Sequence, residues 1–211
     1  EDDEGVKELR FLLRDASAQE VLPAKGTVRW CYPNAHEIGF YRVSLPSQGI
    51  QQLLAHVGEL SVVERMGLIE DQWALLRRGD GDLPTFIDVL GALAQTDDHS
   101  VARAVLARLS TLDNLLERSG EEDARARLRG IGKERFEPTM KRQGFEAKEG
   151  DSQGDLQLRS LSISALGGLA RDPATIERCR HYAGLERADA RSVDANLANA
   201  FLSVTAKNGD D

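Results

Sequence analysis

At Ser47 the hydrophobic period of the chain changes from two residues to about 3.6, the step from strand-like to helix-like patterning. Downstream, start signals fall near positions 47, 61, 83, 98, 121, 155, 172 and 192. Ser61 and Glu64 make the S-x-x-E capping pattern, and Asp172-Pro173 places an N-cap ahead of proline at the first helical position. Apolar stripes follow: Val62, Met66, Ile69, Trp73 and Leu76; Phe86, Leu90 and Leu93; Val101, Val105, Leu109, Leu112 and Leu116; Leu158, Leu161, Ala165 and Leu169; Val193, Leu197, Phe201 and Val204. Pro138 should kink or break the helix that starts near 121, and residues 144–155 read as a loop. The expected fold is mainly α. Short helices over 47–211 stack as antiparallel pairs, an irregular array of the HEAT or armadillo kind. Residues 1–46 read as three or four strands, too little sheet to stand alone, and so as a small portion of a β-sandwich.

The stretch "WCYPNAHEIGFYRV", residues 30–43, contains His36-Glu37, the opening letters of the zinc-protease signature H-E-x-x-H. That signature needs a second His one helical turn on, and the position is Phe40. Pro33, Asn34 and Gly39 are turn formers, flanked by β-favouring Thr27, Val28, Trp30 and Tyr32 on one side and Phe40, Tyr41 and Val43 on the other. A hairpin accounts for every residue of the stretch, a metal site for two. Arg42 has few local acidic partners besides Glu37. Either it makes a longer-range ion pair or carbonyl contacts, a structural role, or it reaches into a cavity and grips peptide.

Net charge is −8, and arginines in 103–142 alternate with Glu and Asp, the mark of solvated helix faces rather than a basic stripe. Nucleic acid and anionic membrane are disfavoured partners. No apolar run approaches a membrane span, and no signal peptide is visible. The chain begins at Glu1 without Met, as a processed chain or a piece of a longer one would. Cys31 and Cys179 make no disulfide framework and no Cys-x-x-Cys. Two free thiols fit a reducing, cytoplasmic setting.

Other motifs yield to helix chemistry. Arg78-Gly79-Asp80 spells an adhesion tripeptide, but a helix C-cap explains the glycine. Asp80 and Asp82 lack the remaining oxygens of a calcium loop. His36, His56, His99 and His181 show no ligand spacing, and no phosphate-binding or nucleophile-elbow motif is present. Residue chemistry by itself favours a binding scaffold over an enzyme, with an independent helical-repeat adaptor as one form of it.

The same stretch resembles a motif of the zinc aminopeptidases that include aminopeptidase N and the puromycin-sensitive and endoplasmic-reticulum enzymes. It is similar to their W-x-x-x-N, a short gap, then G-F-Y-R-V, with Trp30, Asn34, Gly39, Phe40, Tyr41, Arg42 and Val43 in place. "LSVVERMGLIEDQWALLRRGDGDLPTFIDVL" resembles the following segment through Arg65, Leu68, Asp71, Leu75 and Gly79, and "DLQLRSLSISALGGLARDPATIERCR" a later one with a Leu-Arg pair and a capped helix. The likeness spans about residues 6–209. It implies the end of a β-sandwich (1–46) and a helical domain (47–211) that stops early relative to the family. It also implies a domain that closes over the active-site cavity, limits access and contacts peptide substrates. The seven motif residues would be structural, at the junction between domains. The family's H-E-x-x-H, downstream Glu and G-x-M-E-N loop are missing here. The resemblance therefore places zinc and catalysis in a separate domain of the parent, which removes N-terminal residues from peptides. This chain alone would be inactive and without a cofactor, its partners being peptide substrates and the parent's own catalytic domain.

Overall fold

The computed structural model of the chain describes residues 5–21, 23–94 and 96–209. Eight α-helices lie among them: α1 (Ser47–Ala55), α2 (Val62–Arg78), α3 (Leu83–Leu93), α4 (His99–Ser119), α5 (Glu122–Gln143), α6 (Gln153–Ile163), α7 (Pro173–Ala188) and α8 (Ala195–Lys207). Local chemistry sets their ends. Ser61 with Glu64, and Ser152 with Asp155, form reciprocal capping boxes. Asp98, Asp172 and Asp194 accept backbone N–H groups of the first turns they precede. Gly79 and Gly120 close α2 and α4 at φ 83° and 75°, a conformation that costs glycine little.

Three expectations need correction. The first is the β-sheet: among the described residues there is no β-strand, only an isolated bridge residue at Gly5, while positions 1–4 and 22 lie outside the described residues. Residues 6–21 and 23–29 are exposed and without helix or strand, and Phe11, Leu12, Leu13 and Val21 are more than half exposed. A strand needs a neighbour for its backbone groups, and an isolated hairpin is marginal in water. Next, α5 runs on through Pro138. Pro138 and Glu134, whose carbonyl loses its N–H partner, are both exposed, so water can satisfy that carbonyl. Finally, α6 begins inside the segment expected as loop, because the box in "DSQGD" starts it early, and α6 continues directly into a π-helical turn at Ser164–Leu169.

The chain forms two compact units, divided between Val89 and Leu90. In the first, Ile50 and Leu53 of α1, Leu68, Ile69 and Leu75 of α2, and Phe86 are buried, with the Trp73 and Phe86 rings 5.5 Å apart. The expected α2 stripe is therefore rotated: Val62 is partly exposed, and Asp71 and Gly67 share the buried face with Leu68.

In the second unit α4 packs on α5 and α6, α6 on α5 and α8, and α7 on α8. Phe145, Ile163, Cys179, Leu197, Ala200, Phe201 and Val204 form one buried cluster. Phe145, Tyr182 and Phe201 form a three-ring cluster with centroids 5.1 Å (Phe145–Phe201), 4.9 Å (Tyr182–Phe201) and 5.5 Å (Phe145–Tyr182) apart, and the Arg178 guanidinium sits 4.1 Å over Phe145. Burial pushes the Cys179 thiol up to about 12, so it is an inert core group. Arg159 is fully buried and fastens the α5–α6 loop, donating to Asp151 Oδ2 (2.6 Å) and to the Gln143 carbonyl (3.1 Å). No helix among the described residues is long and apolar enough to cross a membrane.

Asp113 on α4 takes Arg125 Nε (2.9 Å) and Arg129 Nε (3.2 Å) from α5, and Arg125 also reaches Glu117 and Glu122. Burial raises the Asp113 carboxyl, but the Arg125 hydrogen bond and the two guanidinium charges outweigh it and hold the group below the usual range. A depressed folded-state value means that its stabilisation is complete above the ordinary aspartate pKa, about 3.9, and disappears as pH falls through the folded value. Asp113→Ala should cost about 1.5–3 kcal/mol in denaturant unfolding, toward the low end for a buried pair because Arg125 keeps two partners. Asp113→Asn should flatten the acid limb of stability below about pH 4. An unchanged midpoint in both variants is the result this packing does not allow.

Candidate functional site

Residues 30–43 are seated on one face of α2. Positions 64, 67, 68, 71 and 75 recur at spacings of three and four, so they line up along that face. Glu64 and Asp71, seven residues and about 10.5 Å of helix rise apart, hold the two ends of the loop. Glu64 Oε1 accepts the His36 N–H at 2.9 Å, while its Oε2 accepts the Ser61 N–H (2.8 Å) and hydroxyl (2.7 Å). Asp71 Oδ2 accepts the Val43 N–H at 3.1 Å, and Oδ1 accepts Arg42 Nη1 at 3.1 Å. Thus the partner of Arg42 lies 29 residues onward.

Asn34 folds the loop. Its Oδ1 accepts the Gly39 N–H (2.8 Å), its Nδ2 donates to the Gly39 carbonyl (3.0 Å) and to Glu37 Oε2 (3.3 Å), and its own carbonyl accepts the Glu37 N–H (2.9 Å). A short 3-10 turn at Ala35–Glu37 results, with His36 and Glu37 at φ 59° and 54°. Non-glycine residues rarely adopt that conformation. The expected hairpin is replaced by this turn, because the flanks find their hydrogen-bond partners on α2 rather than on each other.

The strained pair drives Glu37 onto the helix. Its carboxylate lies where a Cβ on Gly67 would be, 2.2 Å from that position, so any side chain at 67 would have to displace it. The Tyr32 hydroxyl reaches the same carboxylate and stands 3.0 Å from the Glu64 carbonyl. Burial first, then the Glu37 hydrogen bond, raises the Tyr32 pKa and keeps the proton on its oxygen. Burial also raises the Glu64 carboxyl, but the His36 N–H and the two Ser61 donors overcome it and leave the group below its ordinary value.

Of the seven motif residues, Trp30 and Asn34 are buried. Gly39 lies under the Tyr41 ring, which a Cβ would meet at 2.0 Å, and the Tyr41 hydroxyl donates to the Pro33 carbonyl at 3.1 Å. Phe40 is fully exposed. Arg42 and Val43 converge on Asp71; Asn34, Gly39 and Tyr41 are joined within the loop. The second likeness segment has roles here too. Arg65 donates to the carbonyls of Val57 (3.1 Å) and Gly58 (2.7 Å), Leu68 and Leu75 are buried, and Gly79 is the C-cap. Sequence reasoning left out Gly67 and the way Glu37 fills its place. The only local signal is a glycine inside a well-capped helix, which costs stability unless something must come close.

The arrangement is a clamp. Among the described residues no group of three or more His, Cys, Asp or Glu side chains could hold a metal ion. The exposed His36 ring pairs with Glu8. A groove in the second unit, lined by Leu106, Ser110, Leu169, Ser203, Val204 and Lys207 among others, measures about 200 Å³. Small-molecule sites run to about 300–1,000 Å³, so it is too small for one.

Gly67→Ala tests the clamp by its sign. Alanine should stabilise a helix interior by about 0.5–1 kcal/mol. Here it displaces a carboxylate that holds Tyr32 and Asn34, and the net effect should be a loss of about 1–2 kcal/mol. In a Glu37→Ala background the same change should become stabilising. A thermal-melt comparison that finds Gly67→Ala stabilising in both backgrounds contradicts this packing.

The geometry can be set beside known proteins. Residues 30–211 match the family model described as the ERAP1-like C-terminal domain. The chain is 28% identical over 171 residues to puromycin-sensitive aminopeptidase of Caenorhabditis elegans, covering 80% of this chain and 18% of that protein. It is 27% identical over 162 residues to aminopeptidase M1-A of Oryza sativa subsp. japonica, covering 72% and 18%. With aminopeptidase 2 of Candida albicans it shares 26% over 181 residues, covering 84% and 19%. The chain thus spans about a fifth of the length of these relatives.

Proposed function

The chain belongs to the ERAP1-like C-terminal domain family of the M1 aminopeptidases, and on that premise we propose that it is the non-catalytic helical part of a peptide-trimming zinc enzyme. The match over residues 30–211, which takes in the clamped motif and all eight helices, carries this reading. In it, the helical array closes over a cavity whose chemistry another domain supplies, and it contacts or selects peptide substrates. The residues present here do not fit the zinc, since no ligand group converges among the described residues; in this reading the metal and its bond-breaking step belong to another domain of the parent polypeptide. The parent would act in the cytoplasm.

The boundary near residue 46 belongs to the same reading. Residues 6–21 and 23–29 are exposed although they include Val6, Leu9, Phe11, Leu12, Leu13, Val21 and Val28, which supports apolar side chains covered by an adjoining β-sandwich in the parent. α4 with α5, and α7 with α8, are packed neighbours in sequence, which supports stacked helix pairs as the architecture of the remainder. Peptide would meet this array rather than the clamp, whose polar groups are already engaged.

The isolated chain, with zinc supplied, should release no amino acid from aminoacyl-arylamides. In the full-length polypeptide, removal of residues 47–211 should raise KM for longer peptides far more than for arylamides. Turnover by the isolated chain that survives repurification, or equal effects on short and long substrates, overturns the reading.

A further inference from the structure

Five asparagines occur in the chain, and only Asn208 is followed by glycine. Glycine has no side chain to hinder approach of its backbone nitrogen to the preceding side-chain amide, which makes Asn-Gly the pair most prone to close into a succinimide. Asn208 is the C-cap of α8, at φ −118° and ψ 17°. Gly209 is exposed, and its N–H makes only a long bond, 3.4 Å, to the Ala206 carbonyl.

The side chain at risk has a specific task. Asn208 Nδ2 donates to the Gly167 carbonyl at 3.0 Å and to the Val204 carbonyl at 2.8 Å. The first bond ties the end of α8 to the π-helical turn Ser164–Leu169. The same contact is close on its apolar side: a Cβ on Gly167 would lie 2.5 Å from Val204 Cγ1. Within the turn, Ala170 N–H donates to the Ala165 carbonyl at 2.8 Å, and Asp172 N–H to the Leu166 carbonyl at 2.9 Å. Both partners of Nδ2 are acceptors, so a carboxylate at 208 has no proton for either and faces two carbonyl oxygens.

We propose that Asn208 is a deamidation site, and that its conversion unfastens α8 from the π turn. The Gly209 nitrogen loses its proton to solvent base and attacks Asn208 Cγ. The new C–N bond closes a five-membered imide while the Cγ–Nδ2 bond breaks and the nitrogen leaves as ammonia. Water then opens the imide at one carbonyl or the other, giving aspartate or isoaspartate. One water is consumed and one ammonia released, with no change of oxidation state. Either product removes both donors and adds a negative charge, and isoaspartate also lengthens the main chain by one carbon. Helix ends open at little cost, so the folded chain does not shield the site.

Incubation of the folded chain at mildly alkaline pH, with peptide mapping at each asparagine, tests the chemistry. Asn208 should convert ahead of Asn34, Asn114, Asn196 and Asn199, at a rate within about tenfold of the denatured chain. Gly209→Ala should suppress that conversion while leaving the fold intact. Hydrogen exchange tests the consequence: in Asn208→Asp, the amides of Ala170 and Asp172 should exchange at least about tenfold faster than in the parent chain, the scale of one lost hydrogen bond. Gly209→Ala should keep parental protection there. Conversion at Asn208 no faster than at the other asparagines, or parental protection of Ala170 and Asp172 in Asn208→Asp, overturns the proposal.

Discussion

Two carboxylates on one face of α2 hold residues 30–43 to the first unit. Glu64 and Asp71 stand two turns apart and each takes a backbone N–H from the loop above, His36 at one end and Val43 at the other. Everything between them follows from those two anchors. The loop must shorten between fixed points, so Asn34 folds it, His36 and Glu37 take a left-handed conformation, and Glu37 descends where Gly67 offers no side chain. Strain of order 1–3 kcal/mol per such residue is offset by hydrogen bonds to charged acceptors, which exceed neutral ones in strength. Arg42 contributes less than its contact suggests. Its side chain is 59% exposed against 5% for Asp71, so an exposed guanidinium neutralises a buried carboxylate. Removing the arginine leaves Asp71 with the Val43 N–H, whereas removing Asp71 frees both.

The second unit uses buried charge differently. Arg125 and Arg129 meet Asp113 between two helices, and Arg159 fastens a loop from inside the core. Such pairs return little net stability over an apolar packing of the same volume, but they penalise any arrangement that leaves one member alone. They fix which helix faces meet in an array whose apolar stripes alone would tolerate rotation. The cluster around Phe201 supplies the burial, and the polar pairs set its register.

The helices were legible because their signals are local. Ser61-x-x-Glu64, Asp172-Pro173, Gly79 and Gly120 act on the turn beside them, and seven or more residues of apolar periodicity follow each start. Membership of the aminopeptidase family was legible too, from the spacing of Trp30, Asn34 and Gly39 through Val43. The rest depends on groups far apart in sequence. Asp71 reads as a polar residue on a helix until Arg42 and Val43 are placed above it. The α2 stripe was rotated for the same reason, since its buried face includes a glycine and an aspartate that no hydrophobic pattern selects. Ser164–Leu169 gives no warning of a π turn beyond paired glycines, and the strand-like reading of residues 6–21 and 23–29 finds no strand among the described residues.

Native-state hydrogen exchange at the His36 and Val43 amides tests the clamp most directly. Their acceptors are side-chain carboxylates, and neither amide belongs to a helix ladder or a sheet. If Glu64 and Asp71 hold the loop to the helix, both amides should exchange as slowly as those of Leu68 and Ile69 in the middle of α2. Exchange as fast as that of the exposed residues 6–21 would show that the loop is only resting on the helix and would contradict the account.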